Sequence, residues 1–174
     1  VPSSVTKLGA GVFLLNSNLT NVTLPSSIST IPDSTFAGCE SLSSIKLPSS
    51  IKTIGDSAFA MTGFSQFTVP NGVTTIGDEA FSDCEKLTDI TIPKSVTKIG
   101  KSLADAGAEV VTIHGETGSY AETYAKQNDL AFKATNTTVD EKVIATGVTT
   151  ANLNVRKGAG ANYARIGGLT KGAK

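Results

Sequence analysis

The sequence predicts a mainly β solenoid with short helical segments. It would have about five coils of 22–23 residues around a parallel sheet, a C-terminal helix–strand cap, and then a partial small β module. Three observations predict this. A branched aliphatic plus proline recurs at Val1-Pro2, Leu24-Pro25, Leu47-Pro48, Val69-Pro70 and Ile92-Pro93, so the prolines lie 23, 23, 22 and 23 residues apart. Other slots keep step with them: Val5, Ile28, Ile51, Val73 and Val96 in one, and Leu8, Ile31, Ile54, Ile76 and Ile99 in a second. Phe13, Phe36, Phe59 and Phe81 hold a third, with Leu103 assigned to it at the fifth turn. Finally, the rhythm breaks after Gly115 and a different grammar begins near Val143.

One coil carries the physics. In Leu42 to Leu47, Leu42, Ile45 and Leu47 are apolar while Ser44 and Lys46 are polar, the alternation of a short strand with one buried face. Pro48 cannot donate a ladder hydrogen bond, so the strand stops there. Ile51 and Ile54 return the chain over the interior, Gly55-Asp56 turns it, and Phe59 drops back into the core. A single coil cannot bury these groups, whereas stacked coils bury them continuously. A fixed period in the low twenties points to leucine-rich repeats.

The pattern L-x-x-I-x-L-P-x-x-I-x-x-I-x-x-x-A-F resembles the BspA-like, or Treponema-type, leucine-rich repeats of bacterial surface proteins. It is carried by Leu42, Ile45, Leu47, Pro48, Ile51, Ile54, Ala58 and Phe59, with Cys39 and Cys84 in the cysteine slot of two other coils. The resemblance covers residues 1 to 133. It implies a cell-surface or secreted bacterial protein and a non-enzymatic adhesion or interaction role.

Taken in order, Val1 to Asn18 reads as the tail of a coil whose strand lies upstream or is missing. Its apolar top is expected to be exposed, as in an excerpt of a longer or processed protein. Strands are expected at Leu19 to Leu24, Leu42 to Leu47, Phe64 to Val69 and Leu87 to Ile92. The third coil is one residue short near Met61-Thr62-Gly63, and Phe64 and Phe67 replace aliphatics there, filling the space that the shortening disturbs. Glu109 to Gly115 reads as a fifth strand with Val111 and Ile113 inward. Next, Ser119 and Glu122 form a capping box for a helix near 119–129. Tyr120 and Tyr124, with Ala121 and Ala125, give it a helical face, and Asn128 can end it. Leu130-Ala131-Phe132 adds a last strand, so that 115–133 caps the array, as repeat arrays require. Residues 134–142 are small and polar and read as a linker.

Residues 143–174 are similar to the first half of a bacterial SH3-like domain. The match is carried by Leu153, Asn154, Val155, Arg156, Gly158, Tyr163, Ile166, Gly167, Leu169, Lys171 and Gly172. That resemblance implies cell-wall peptidoglycan as a partner of the complete module. It also supports an alternative role, the wall-targeting accessory region of a secreted hydrolase or protease whose catalytic domain lies outside this chain. A Gly-Ala-Gly run at Gly158 to Gly160 reads as a turn, because no P-loop Lys-Ser/Thr follows it.

Composition narrows the function classes. Hydrophobic residues make up 39%, charged residues 17%, and the net charge is zero. A nucleic-acid partner would need a basic bias. No run of 18 apolar residues offers a membrane span. Two coils separate Cys39 from Cys84 by about 10 Å, beyond the ~7 Å reach of a disulfide, so both are expected to be buried free thiols. The single histidine, His114, stands where other coils place the strand-ending proline. It has no evident nucleophile or metal set, so it reads as a surface or cap residue and no catalytic or metal site and no cofactor is expected. Asp33, Asp56 and Asp78 form a column, read as repeated turn or helix-start capping. A calcium ladder is the competing reading, but each coil offers one carboxylate where calcium takes six to eight oxygens.

What remains is a surface. Strand alternation points Asn21, Thr23, Ser44, Lys46, Gln66, Thr68, Asp89, Thr91, Val110 and Thr112 outward. They would form a mostly uncharged hydrogen-bonding face on a rigid sheet, and leucine-rich repeat proteins often bind partners on such a concave face. The ligands this implies are host matrix proteins or other cell-surface proteins.

Overall fold

The computed structural model describes residues 1–104 and 111–135, together with the backbone of residues 153–156 and 165–169. Contacts divide the chain into two units, Val1–Asn136 and Thr137–Lys174.

The first unit is a parallel-sheet solenoid of about four turns. Its coils build two sheets. Around the slot of Gln66 to Thr68, the strands are β3 (Gln66–Thr68), β5 (Asp89–Thr91), β7 (Thr112–Gly115) and β8 (Ala131–Ala134), in the order β3-β5-β7-β8. All pair in parallel, with Gln66, Asp89, Thr112 and Ala131 in register. An isolated parallel bridge between Thr23 and Lys46 continues the same slot toward the N-terminus. The expected strands are thus shorter than the apolar alternation suggested, and the first two shrink to that one bridge. Proline closes each strand after a few residues, and only the segment between turn and proline is free to pair.

A second sheet was not anticipated. It is formed by β1 (Thr30–Ile31), β2 (Thr53–Ile54), β4 (Thr75–Ile76) and β6 (Lys98–Ile99), in the order β1-β2-β4-β6. The segment that returns over the interior therefore pairs with its neighbours as well. Its β-branched Thr and Ile residues suit a pleated surface.

The interior is a column of stacked rings. Phe13, Phe36, Phe59 and Phe81 lie 5.2, 5.4 and 5.4 Å apart between centroids, near parallel. At the shortened coil, Phe64 and Phe67 pack on Phe59 at 5.7 and 5.1 Å, and Phe67 reaches Phe81 at 4.7 Å. The two larger side chains fill the space where the backbone lost a residue. Leu103 does not belong to the aromatic slot. Phe13, Phe36 and Phe59 donate their N–H groups to Thr35, Ala58 and Ala80, and Phe81 donates to Leu103. That register puts Leu103 with Thr35, Ala58 and Ala80. The last coil keeps no aromatic in the phenylalanine slot because it faces the cap. Buried Leu103 donates its N–H to the Tyr124 hydroxyl at 3.1 Å.

The cap helix α1 (Tyr120–Gln127) begins at Ser119, whose side chain accepts from the Glu122 N–H. The Glu122 carboxylate reaches back to the Gly118 N–H rather than to that of Ser119. Ala121, Tyr124 and Ala125 are buried, whereas Tyr120 is exposed and not part of the packed face. Residue 120 sits a full turn before Tyr124 at the first position of the helix, where the last coil no longer covers it. Asn128 closes the helix with its backbone and side-chain N–H groups on the Tyr124 carbonyl.

The second unit contains one antiparallel hairpin, β9 (Leu153–Arg156) with β10 (Arg165–Leu169), and the register shifts between Arg165 and Gly167. These strands fall on residues that resemble the SH3-like pattern. Val110 and the Gly158 to Gly160 run lie outside the described residues, as does the linker beyond Thr135.

Candidate functional site

Alternation on the β3-β5-β7-β8 sheet sends Phe67, Ile90 and Ile113 into the core. Their neighbours in sequence face outward. Parallel register then lines the outward residues into two rows. One row carries Gln66, Asp89, Thr112 and Ala131, and the other Thr68, Thr91, His114 and Lys133. The bridge from Thr23 to Lys46 extends the second row by two coils. Asn21 and Ser44 are exposed beside that bridge but lie outside any strand. Of the residues expected on this face, Thr23, Lys46, Gln66, Thr68, Asp89, Thr91 and Thr112 are therefore brought together.

His114 and Lys133 belong to the same face and were missed. Their signal was the two-residue step from Thr112 and from Ala131. It was masked at His114 by the expectation that this residue takes the proline slot, which the register overturns: His114 pairs with Thr91, and Glu116 falls in step with Pro93. His114 Nε2 lies 2.6 Å from Asp89 Oδ1, and Thr88 Oγ1 donates to Asp89 Oδ2 at 2.8 Å. The His114 hydrogen bond, then that from Thr88, hold the Asp89 carboxyl below its ordinary value. The pair sits beside Lys133 in a surface otherwise rich in threonine. No cluster of three or more His, Cys, Asp or Glu able to hold a metal occurs among the described residues.

The aspartate column has a different task from the one sequence suggested within a coil. Asp33 Oδ1 accepts from the Asp56 N–H at 2.9 Å, Asp56 Oδ1 from the Asp78 N–H at 2.8 Å, and Asp78 Oδ1 from the Lys101 N–H at 3.0 Å. The carboxylates do cap N–H groups, but those of the next coil. Beside each of them, the N–H of Gly55, Gly77 or Gly100 donates to the Ile31, Ile54 or Ile76 carbonyl of the coil before. A Cβ on any of these glycines would overlap the preceding aspartate, both its carboxylate and its backbone nitrogen. Glycine and aspartate thus form a two-part corner clasp between coils.

Cys39 and Cys84 are free and buried. Each thiol points at a carbonyl of the preceding coil, Phe13 or Phe59, at 3.1 Å. Burial pushes both thiols up from their ordinary value, so they lack the thiolate character that reactivity needs. Where the third coil loses a residue, a notch of about 420 Å³ opens, lined by Glu40, Met61, Gly63, Asp83, Glu85 and Lys86. The shortening was visible in the sequence, but the notch was not.

A model of the BspA type leucine rich repeat region matches residues 1–106 in six copies. No curated protein matches the chain. Among solved structures, a leucine-rich repeat protein from Bacteroides ovatus ATCC 8483 is 38% identical over 66% of this chain and 30% of its own, with a TM-score of 0.62. A leucine rich repeat protein of T. pallidum is 28% identical over 66% of this chain and 56% of its own, with a TM-score of 0.60. The pneumococcal vaccine antigen PcpA is 19% identical over 78% of this chain and 40% of its own, with a TM-score of 0.59, a likeness of fold. The chain thus spans between about a third and just over half of the length of these structures. No helix among the described residues is long and apolar enough to cross a membrane.

Proposed function

The chain belongs to the BspA-type leucine-rich repeat family, and from that premise we propose that it is a non-enzymatic interaction module, on the cell surface or secreted, that binds a protein ligand. The ligand would lie across the two outward rows of the β3-β5-β7-β8 sheet. One observation supports this most: parallel register repeats the same outward slots from β3 through β8, giving rows of hydroxyl, amide and ionic groups on a rigid backbone. Rigid donors and acceptors lose little entropy on binding. Repetition favours a ligand that runs along the rows and touches several coils at once. Host matrix proteins and other cell-surface proteins are the ligand class, with Asn21, Thr23, Ser44, Lys46, Gln66, Thr68, Asp89, Thr91, Val110 and Thr112, joined by His114, as the contact set.

The test uses immobilised fibronectin, collagen and laminin with the chain and its Thr68→Arg/Thr91→Arg variant. These outward threonines contribute little to the core, so the melting temperature should hold within about 2 °C, while binding weakens at least about tenfold, the scale of a buried interface position. Equal binding by the variant would sink this surface as the site.

A second reading rests on the β9–β10 hairpin, which falls on the residues that resemble an SH3-like module. In it, residues 143–174 extended to the whole module attach the protein to peptidoglycan. Pull-down with purified peptidoglycan distinguishes the two. Retention of the extended chain, but not of a version ending at Thr135, supports wall attachment, and retention of neither removes it.

A further inference from the structure

Parallel register gives one outward row a charge that the chain as a whole does not have. The net charge of the chain is zero. Thr68, Thr91, His114 and Lys133 nevertheless share one slot, and Thr23 and Lys46 hold it in the earlier coils, each two residues before a proline. Every one of these side chains is a hydrogen-bond donor, and none is acidic. The row beside it contains one acid, Asp89. Its carboxylate is already engaged, by His114 at 2.6 Å and by Thr88 at 2.8 Å. Glu116, two residues past His114, pairs with Lys94 at 3.8 Å. Lys46 and Lys133 are exposed, and neither forms an ion pair among the described residues. The row thus holds two unpaired ammonium groups, while the acids near it have partners.

The coils set the distance between these two groups. Four junctions separate Lys46 from Lys133, by way of Thr68, Thr91 and His114. The Phe36–Phe59 and Phe59–Phe81 ring spacings are both 5.4 Å, so the stack does not widen at the shortened coil. Neighbouring strands lie about 4.8 Å apart, which puts the two backbone positions about 19 Å apart along the row. An extended peptide advances about 3.3 Å per residue and returns to the same face every second residue. Positions six apart therefore share a face and lie about 20 Å apart, whereas four residues span about 13 Å and eight about 26 Å.

We propose that the partner laid along this row is an extended acidic segment of a protein, with two carboxylates six residues apart, one at Lys46 and one at Lys133. The proposal rests on the reading of the rows as a protein-binding surface and supplies the chemistry of the ligand. Between the two lysines, the hydroxyls of Thr68 and Thr91 face the peptide backbone. Complementary charge steers the encounter and fixes the register. The rigid span makes the second ion pair an intramolecular event once the first has formed.

The experiment titrates the chain into labelled nine-residue peptides of serine and threonine and follows anisotropy. One peptide carries glutamates at its second and eighth positions, another at its second and fourth, and a third carries glutamines at its second and eighth. The first should bind tightest. It should lose about threefold in Lys46→Gln or Lys133→Gln and about tenfold in the double variant, the scale of one and two exposed ion pairs. The second peptide engages one lysine at a time, so the double variant should cost it only about threefold. The melting temperature should hold within about 2 °C, because both side chains are exposed. Equal binding of the three peptides, or binding unchanged in the double variant, overturns the proposal. So does heparin bound through the same two lysines while the glutamate peptides stay free, which would assign the charge to a sulfated polysaccharide. Thr68→Tyr/Thr91→Tyr separates the acidic pair from the surface itself. Suppose that binding to immobilised fibronectin, collagen or laminin falls in the tyrosine variant but not in the double lysine variant. The acidic pair is then overturned and the rows remain a protein site. Binding unchanged in both variants removes the rows as well.

Discussion

At the scale of the residue, the positions that matter most are small. Gly77 lies where the backbone of one coil touches the next, so Gly77→Ala places a methyl group against Asp56 and Gly55. Overpacking of this kind costs about 1–3 kcal/mol, and the urea midpoint should fall accordingly. Adding Asp56→Ala should not restore it, because the methyl also meets the Asp56 nitrogen and the Gly55 carbonyl carbon. Asp89 supplies a pH signature. Its carboxyl is lowered from an ordinary value of 3.8, first by the His114 hydrogen bond and then by that of Thr88. A carboxylate lowered in the folded state stabilises it fully above the unfolded value and loses that contribution as pH falls through the folded one. The difference in melting temperature between the chain and Asp89→Asn should therefore shrink as pH falls below 3.8. A difference that grows in that acid range would contradict the assignment.

At the scale of the element, a buried hydroxyl ties the cap helix to the last coil, beside the β7–β8 pairing and the buried Ala121 and Ala125. Tyr124→Phe keeps the ring but leaves the Leu103 N–H without that acceptor. An orphaned buried donor costs about 1–3 kcal/mol, and hydrogen exchange at the Leu103 amide should accelerate more than at Ile54. The cap was legible in the sequence because its signals are local. Ser119 and Glu122 sit at capping-box spacing, and Asn128 stands where a helix can end. Tyr120 was misread because helical periodicity says which residues share a face, not where that face stops being covered. Strand lengths and the second sheet were less legible for a related reason: Thr53-Ile54 has no pattern of its own, and pairs only because the same two residues recur one coil later. His114 was overlooked on the outward sheet face because it was assigned to the proline slot, whereas the register pairs it with Thr91.

At the scale of the whole solenoid, stability is the sum of coils and junctions, so it should vary along the axis. Phe59 has ring neighbours on both sides plus Phe64 and Phe67, whereas Phe13 has one. Hydrogen exchange should show the amides of Phe13 and Leu15 opening first and those of Phe59 and Gly77 last, with a spread of about 2 kcal/mol or more between them. Uniform protection across these coils would mean that the array opens as a single unit. The fold was readable from period alone, since five prolines in step admit few architectures. The candidate surface was readable only as a list of outward slots, because nothing in the sequence states which N–H of one coil meets which carbonyl of the next.

The Asp–Gly clasp also reaches back to the gene. Tandem coils are prone to duplication and loss by unequal recombination, and most of their slots are interchangeable. The clasp adds a syntax to that exchange. A deletion that joins the coil of Asp33 to that of Gly77 keeps donor and acceptor matched, so a shortened array still closes. An exchange that sets the Pro32 coil behind an aspartate coil puts a ring where a bare backbone is required, and selection would remove it. The number of coils can therefore change without breaking the clasp, whereas the order of coil types cannot.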